Sequence, residues 1–515
     1  MAKEPIIFES LPGELWWGGG SHYGTMMPFG KTKTSINLLG DLGGNQGAPL
    51  FLSNRGRYLW SDDPYAITFD QGRICVSPAK GKVFLEEGHS NLRGAYRHAS
   101  QTFFAPSGRR PPEAFFKTPQ YNTWIEMGYE PTASKVIAYA HHILAHGFPA
   151  GVLMIDDNWQ EDYGSWDFHP GRFPDPAAMV RELHALGFSV MLWMCPFISA
   201  DSQTFRTLRG QGLLVKDVSG DAAIRAWWNG YSAVLDGSHP KAVAWLHERL
   251  YGLMDRYGID GFKMDAGDPE YYRAEDSTYG HVTPVEQCRL WSNIGVDYPF
   301  NEFRASWRMG GQPLVQRLRD KRHSWDEDGL NTLIPNGLAQ GLLGYAFNCP
   351  DMVGGGLEGD FASPDFQFDQ DLFIRYAQCS ALFPMMQFSI APWRVLDPDR
   401  LALCLNMVRL HVSMADELLA LANAAASDGE PIMRHLSYAY PDQAYDEVRD
   451  QFMLGEGILV APVLERGSER RRVVFPPGRW RGDDASEVEG PTTMEVAAPL
   501  SRLPWYRLVH SATLG

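Results

Sequence analysis

The sequence has no Cys-x-x-Cys pair: its six cysteines, at positions 75, 195, 288, 349, 379 and 404, are scattered over 515 residues. That spacing speaks against a structural zinc site and a disulfide scaffold, and it fits a reducing compartment. Basic charge is also short. Lys and Arg total 46 against 62 Asp and Glu, a net charge of −16, which argues against nucleic acid or an anionic membrane as partner. No run of about 18 apolar residues occurs, so no membrane-spanning helix is expected. The stretch Met1–Phe8 lacks a signal-peptide core, so a cytoplasmic location is expected, although a mature chain stripped of its leader reads the same. Aromatic residues, by contrast, are abundant. Sixteen Trp and twenty-one Tyr exceed what a core needs. Such rings often line sugar sites, where C–H faces stack and Trp N–H or Tyr O–H groups donate hydrogen bonds.

A chain of this length, 44% hydrophobic, buries a large core in two or three domains. Residues 1–112 read as an N-terminal β-sandwich: Pro49–Ser53, Ala66–Phe69, Arg73–Val76 and Lys82–Leu85 are short apolar segments broken by Gly, Asn, Asp and Pro. Two stretches there read either as arms over a neighbouring pocket or as surface hairpins: the aromatic loop Trp16–Tyr23 and Arg55–Ser61. From about 113 the period changes. Helix Ser134–His146, Gly147 and strand Gly151–Asp156 are followed by helix Pro176–Leu186, Gly187 and strand Ser189–Pro196. Helix Lys241–Met254, Gly258 and strand Phe262–Asp265 repeat the theme. Three such units argue for parallel βα repeats, with a (β/α)8 TIM barrel over 113–428 favoured over a doubly wound sheet. Tyr298–Arg304, Gly344–Asp351 and Ala381–Gln387 are expected to continue the barrel, and its last helix to lie within Arg400–Ala425. Short strands return at Gly457–Val463, Arg472–Phe475, Met494–Val496 and Trp505–Val509, so 429–515 reads as a small C-terminal β-sandwich domain.

The stretch Gly258–Asp268 is central: a helix stop, a short apolar run and then Asp265. An α/β barrel presents a catalytic acid on such a strand tip, although an Asp that caps the next helix looks the same locally. The other predicted tips carry Asp156, Asp157, Arg304 and Asp351. The loops add Trp124, Trp159, Trp193, Trp307, Asp320, His323 and Trp325. Carboxylates, one Arg and many indoles without a His/Cys cluster suit a neutral polyol better than a metal or phosphate. A metal held by Asp156, Asp157, Asp265 and Asp268 is disfavoured because no His ligand sits nearby. No cofactor is expected.

Several motifs in series resemble glycoside hydrolase family 31 over nearly the whole chain. Met154–Gln160, Tyr163–Phe168, Phe173–Pro176 and Leu192–Phe197 are similar to the family's early barrel strands and the loop between them. Phe262–Asp265 looks like its nucleophile strand, and Gln451–Gly455 with Leu459–Val463 like its C-terminal β-domain. The resemblance implies that Asp265 is the nucleophile. It places the acid/base on an Asp five residues before a Trp, where Asp320 precedes Trp325, and a substrate-binding Arg sixteen residues before that acid, where Arg304 stands. Asp326, Glu327 and Asp328 then read as a solvated loop or helix start. Asp156 matches a first-strand Asp that binds sugar hydroxyls, and Asp351 a strand-end Asp of the pocket floor. Asp157, Trp159, Trp193, Lys263 and Gln387 complete the expected substrate-binding set, while Asp268 is expected to support the site. A retaining double displacement on a small-molecule or oligosaccharide substrate follows, with the two carboxyls about 5–5.5 Å apart.

The sequence departs from the family's α-glucosidases where their sugar-gripping His would stand, at Ser389. This region, Phe383–Trp393, and the segment Pro350–Gly355 look closer to the branch containing the myogenesis-regulating glycosidase and bacterial α-galactosidases. The expectation is therefore an exo-acting α-galactosidase, with α-glucosidase, sulfoquinovosidase and an inactive sugar-binding protein as alternatives. A sulfonate pocket would draw on Arg55, Arg57, Lys31 and Lys33. Cys195 reads as a small buried hydrophobe rather than a substrate contact. A homo-oligomer is left open.

Overall fold

Glycine stops set the rhythm of the central domain. In the computed structural model, which describes residues 4–78, 81–326 and 328–510, helix Pro240–Tyr257 ends at Gly258 with φ 79°. Only glycine adopts that left-handed turn at no steric cost. The helix buries Ala242, Leu246, Leu250 and Leu253, one stripe at helical spacing. The next strand, Gly261–Met264, is buried along its whole length, as a strand covered on both faces must be.

Eight parallel strands form the barrel: β1 (Gln120–Asn122), β2 (Val152–Ile155), β3 (Ser189–Met194), β4 (Gly261–Met264), β5 (Phe300–Phe303), β6 (Gln316–Arg317), β7 (Asn348–Cys349) and β8 (Gln387–Phe388). From β1 to β7 each pairs in parallel with the next in chain order, β8 pairs with β1, and between β7 and β8 one isolated bridge from Met352 to Gln387 nearly closes the ring. The expected strand Ala381–Gln387 is shorter than its apolar run: Ala381 ends helix Gln370–Ala381, and only Gln387 belongs to β8. The expected last helix is two helices, Pro398–Ser413 and Ala415–Asp428.

The fifth unit has no helix. Between β5 and β6 the chain instead places Ser306 and Trp307 parallel to Gln46 and Gly47 of the N-terminal strand Gln46–Ser53. The amide of Gln46 donates to the carbonyls of Arg304 and Arg317, and the Tyr345 hydroxyl donates to the Gly47 carbonyl at 2.7 Å. The N-terminal region is thereby built into the barrel wall.

That region holds a four-stranded sheet and four strands of a five-stranded one, whose fifth strand is Ser306–Trp307. Trp16–Tyr23 is no flexible loop. Trp16–Gly20 is a buried strand paired with Gln46–Ser53, and Ser21–Met26 forms a 3-10 turn. Arg57 is buried against Glu14, with Glu87 2.8 Å from its Nη1, so it is structural. Lys31 pairs with Glu447, and Lys33 with Asp70 at 3.0 Å. None of these cations borders the barrel mouth. At the other end, the strands between Met433 and His510 hydrogen-bond as one six-stranded antiparallel sheet rather than the two sheets of a sandwich. Its apolar face is a small core of Met453, Leu459, Val473, Phe475, Trp480 and Tyr506. Among the described residues no helix is long and apolar enough to cross a membrane.

Candidate active site

Asp265 stands one residue past β4, at the C-terminal mouth of the barrel. Its Oδ2 accepts from the Trp193 indole N–H at 3.0 Å, and its Oδ1 accepts from Arg304 Nε at 3.0 Å and from the Ala266 amide at 2.8 Å. Ala266 takes φ 53°, a left-handed conformation that costs a non-glycine residue energy and marks many functional turns. Arg304 is itself held: its two Nη groups grip Asp268 at 2.9 and 2.8 Å, and Nη1 also donates to the Gly44 carbonyl at 2.9 Å. A Cβ on Gly44 would lie 2.4 Å from Arg304 Nη1, so glycine there lets the N-terminal loop reach the site. Burial alone would raise the Asp265 carboxyl, but Arg304, Lys263, Arg317 and the Trp193 N–H hold it well below the usual carboxylate range. An ionised, oriented carboxylate results.

Two further acids sit at the end of β2. Asp156 Oδ2 is 2.6 Å from Lys263 Nζ, both groups buried. Asp157 accepts from the Tyr163 hydroxyl at 3.0 Å and from Asn229 Nδ2 at 2.7 Å. Burial and the neighbouring Asp156 push the Asp157 carboxyl up to about 7. Trp159 donates its indole N–H to the Trp193 carbonyl at 2.8 Å, buttressing the residue that holds Asp265.

Asp320 lies on the loop after β6, with a side chain about one-third exposed and its Oδ1 2.7 Å from Arg317 Nη1. The same Nη1 is 2.6 Å from Asp351 Oδ1 and donates to the Leu318 carbonyl at 3.0 Å. Asp351 also accepts from the Lys321 amide at 2.7 Å. Behind them Glu302, on β5, lies 3.3 Å from Arg317 Nε and accepts from Gln387 Nε2 at 2.6 Å.

These strand ends surround one cavity of about 640 Å³. Asp156, Asp157, Trp193, Lys263, Asp265, Arg304 and Asp320 all line it. Trp159, Asp351 and Gln387 do not. All three are buried behind the wall, Gln387 bonded to Gln120 and Glu302 inside the barrel, so they stand behind the residues that line the cavity. Ser389 is likewise buried; its hydroxyl accepts from the Ile125 amide at 2.6 Å. Cys195 is buried, and burial pushes its thiol well up. Of the expected loop residues, Trp124 lines the cavity. Trp307 is buried in the N-terminal contact, and His323 and Trp325 both bond to Asp369. Asp328, read as solvated, also lines the cavity, opposite Arg319 at 3.3 Å; Glu327 lies outside the described residues.

Sequence reasoning missed three parts of the wall. Asp41, Gly43 and Gly44 come from the N-terminal region, and Leu357–Gly359 from the loop after β7. Trp228 comes from an excursion between β3 and β4 that carries a three-stranded sheet, Phe197–Ser199, Ile224–Trp227 and Gly230–Val234, and Tyr271 packs beside it from a 3-10 turn, Pro269–Tyr271, after β4. The Trp-Trp pair at 227–228 was the one available signal.

Known proteins agree with this architecture. Residues 120–395 match the glycosyl hydrolases family 31 TIM-barrel domain and residues 429–508 the glycosyl hydrolase family 31 C-terminal domain. The mouse myogenesis-regulating glycosidase is 34% identical over 408 residues, covering 76% of this chain and 56% of the mouse protein. This chain thus spans little more than half the length of that relative. The sulfoquinovosidase of Escherichia coli is 23% identical over 499 residues, 89% of this chain and 71% of the enzyme. In three dimensions, a Flavobacterium johnsoniae family 31 dextranase complexed with glucose superposes with a TM-score of 0.86 at 20% identity, covering 99% of this chain and 67% of the dextranase. With more than half of its length inside the family's barrel domain and the C-terminal domain following in order, this chain belongs to glycosyl hydrolase family 31.

Proposed function

We propose that this chain is a retaining, exo-acting α-glycosidase in which Asp265 is the nucleophile and Asp320 the acid/base, and that its substrate is a terminal α-galactoside. The observation that carries the reading is the pairing inside one cavity of an acid held ionised, Asp265, with a partly exposed acid, Asp320. Asp265 attacks the anomeric carbon while Asp320 protonates the leaving oxygen. Water, deprotonated by Asp320, then releases the sugar. Beneath the cavity the barrel is filled by Glu302, Gln387 and Asp351, so the site has a floor, as a terminal sugar requires. Asp156, Asp157, Lys263 and Arg304 would bind its hydroxyls.

Charge separates the candidate sugars. Eight carboxylic residues and four cations line the cavity, and each of those cations faces a carboxylate: Lys263 Asp156, Arg304 Asp268, Arg319 Asp328 and Arg322 Asp360. Among the described lining residues no cation is left over for a sulfonate, which supports a neutral sugar over sulfoquinovose. Galactose over glucose is supported by the resemblance around Ser389 and Pro350–Gly355. A panel of aryl α-glycosides tests the choice. The α-galactoside is expected to turn over at least about 10-fold faster, in kcat/KM, than the α-glucoside, a ratio within reach of a few changed hydrogen bonds. Hydrolysis of the gluco compound alone would overturn the galactoside, and turnover of neither would favour a sugar-binding protein.

A further inference from the structure

Two arginines serve the two carboxyls of this site in opposite ways. Arg304 divides its donors: Nη2 and Nη1 grip Asp268, and Nε is left for Asp265. Each acid has its own N–H, so the arrangement is fixed. Arg317 concentrates its donors instead. Its Nη1 carries two hydrogens and faces three acceptors within 3.0 Å, on Asp320, Asp351 and Leu318. Its Nε and Nη2 are buried without hydrogen bonds. Asp320 and Asp351 therefore compete for one group.

We infer that Arg317 and Asp351 are a positioning pair that controls the proton of Asp320, Asp351 drawing the Arg317 Nη1 group away while Asp320 carries its proton and yielding it when Asp320 is a carboxylate. The inference rests on Asp320 being the acid/base. In the first step the Asp320 O–H proton passes to the glycosidic oxygen, that oxygen keeps the electron pair of its broken bond to the anomeric carbon, and Asp265 bonds to that carbon. Asp320, now anionic, takes the shared N–H. In the second step Asp320 takes a proton from water, the water oxygen bonds to the anomeric carbon and Asp265 leaves. Arg317 returns to Asp351. Asp320 has to be an acid in one step and a base in the next, and a cation shared with a second carboxylate lets both forms find a partner.

The surroundings fit such a balance. Burial raises the proton affinity of Asp351 more than Arg317 lowers it, and the charge of Asp320 adds to the rise. From β5 Glu302 faces Arg317, and just past its end Arg304 acts on Asp320; from β4 comes Lys263, and just past its end Asp265. Lys321 lies beside Asp351, buried enough for its ammonium to be lowered to about 8, and Cys349 and Tyr376 adjoin the same carboxylate. Asp351 is the carboxyl group that shares a donor atom with Asp320, so removing its charge has a defined sign. Arg317 Nη1 then faces Asp320 as its one remaining carboxylate, Glu302 staying on Nε, so the charged form of Asp320 gains and the acid form is lost at lower pH.

The test is the pH profile of kcat/KM for Asp351→Asn on two aryl glycosides of the preferred sugar, phenyl and 2,4-dinitrophenyl. The phenyl glycoside needs acid catalysis and the dinitrophenyl glycoside does not. For phenyl, the alkaline limb is expected to move to lower pH by about one unit or more. For dinitrophenyl, turnover is expected to stay within about 3-fold, which also reports a folded site. Arg317→Gln has the opposite sign, its alkaline limb moving up, and keeps the test open if Asp351→Asn does not fold. An alkaline limb left in place in the folded variant, or equal losses on both substrates, overturns the inference. Asp320→Ala on the same pair separates the two readings: equal losses there remove Asp320 as the acid/base, whereas a loss confined to phenyl keeps it and leaves any failure with Arg317 and Asp351.

Discussion

Asp265→Asn is expected to lower kcat on the best aryl α-glycoside by at least about 10⁴-fold, with little change in thermal stability. An amide neither attacks the anomeric carbon nor offsets the charge that develops there. The fold should tolerate the change because Arg304 keeps both bonds to Asp268 and the Gly44 carbonyl, so no buried guanidinium is left alone. Azide distinguishes a lost nucleophile from a disturbed site. With Asp265→Gly, azide should enter the vacated volume and give the glycosyl azide of inverted configuration. The wild-type pH profile adds a check of the same residue. Arg304, Lys263 and Arg317 outweigh burial to hold Asp265 ionised, so the acid limb of kcat/KM should lie below about pH 4, the ordinary range of an Asp. Full activity of Asp265→Asn, or a glycosyl azide of retained configuration, would contradict the assignment.

The second large effect is selective. Asp320→Ala should cost about 10³-fold in kcat/KM on a phenyl glycoside and less than about 10-fold on a dinitrophenyl glycoside, whose leaving group needs no proton. The glycosyl-enzyme should then accumulate, because no base activates water, and azide should speed its breakdown with retention. Geometry favours this outcome over a structural role. Asp320 is the more exposed of the acids around Arg317, and losing it leaves Arg317 still bound to Asp351. Equal losses on both substrates would indicate that another group supplies the proton.

Much of this site is legible in the sequence because its carriers are regular. Gly258 ends a helix with an apolar stripe, the following apolar run is a buried strand, and Asp265 has to emerge at its tip. Asp156 and Arg304 follow from the same pattern. That Trp159, Asp351 and Gln387 stand behind the cavity lining was not legible, because a strand tip fixes where a residue sits but not which way its side chain points. β7 and β8 are two residues long, too short for alternation to reveal the inward face. Asp351 and Gln387 turn into the barrel. Trp228, flagged only by the Trp-Trp pair, and Gly44 were hard to place for another reason: each comes to the cavity from an irregular excursion whose path is set by tertiary contacts. The absent fifth helix was hidden likewise, since residues 304–315 show no period and their partner strand lies far earlier in the chain.

That missing helix has a consequence for how the protein comes into being. The wall of the fifth unit is completed by a strand some 260 residues upstream, and the same seam carries the bond from Arg304 to Gly44. The barrel is therefore no autonomous module to be cut out or exchanged. During synthesis the N-terminal sheets have to wait for residues near 307 before their edge is satisfied, and such distant pairing slows folding. Residues 113–515 produced alone should be inactive and prone to aggregate, with activity returning when residues 1–112 are supplied as a separate chain. An active, monomeric 113–515 fragment would show that the seam is dispensable. Otherwise the smallest unit that folds and functions has to include both sides of the seam.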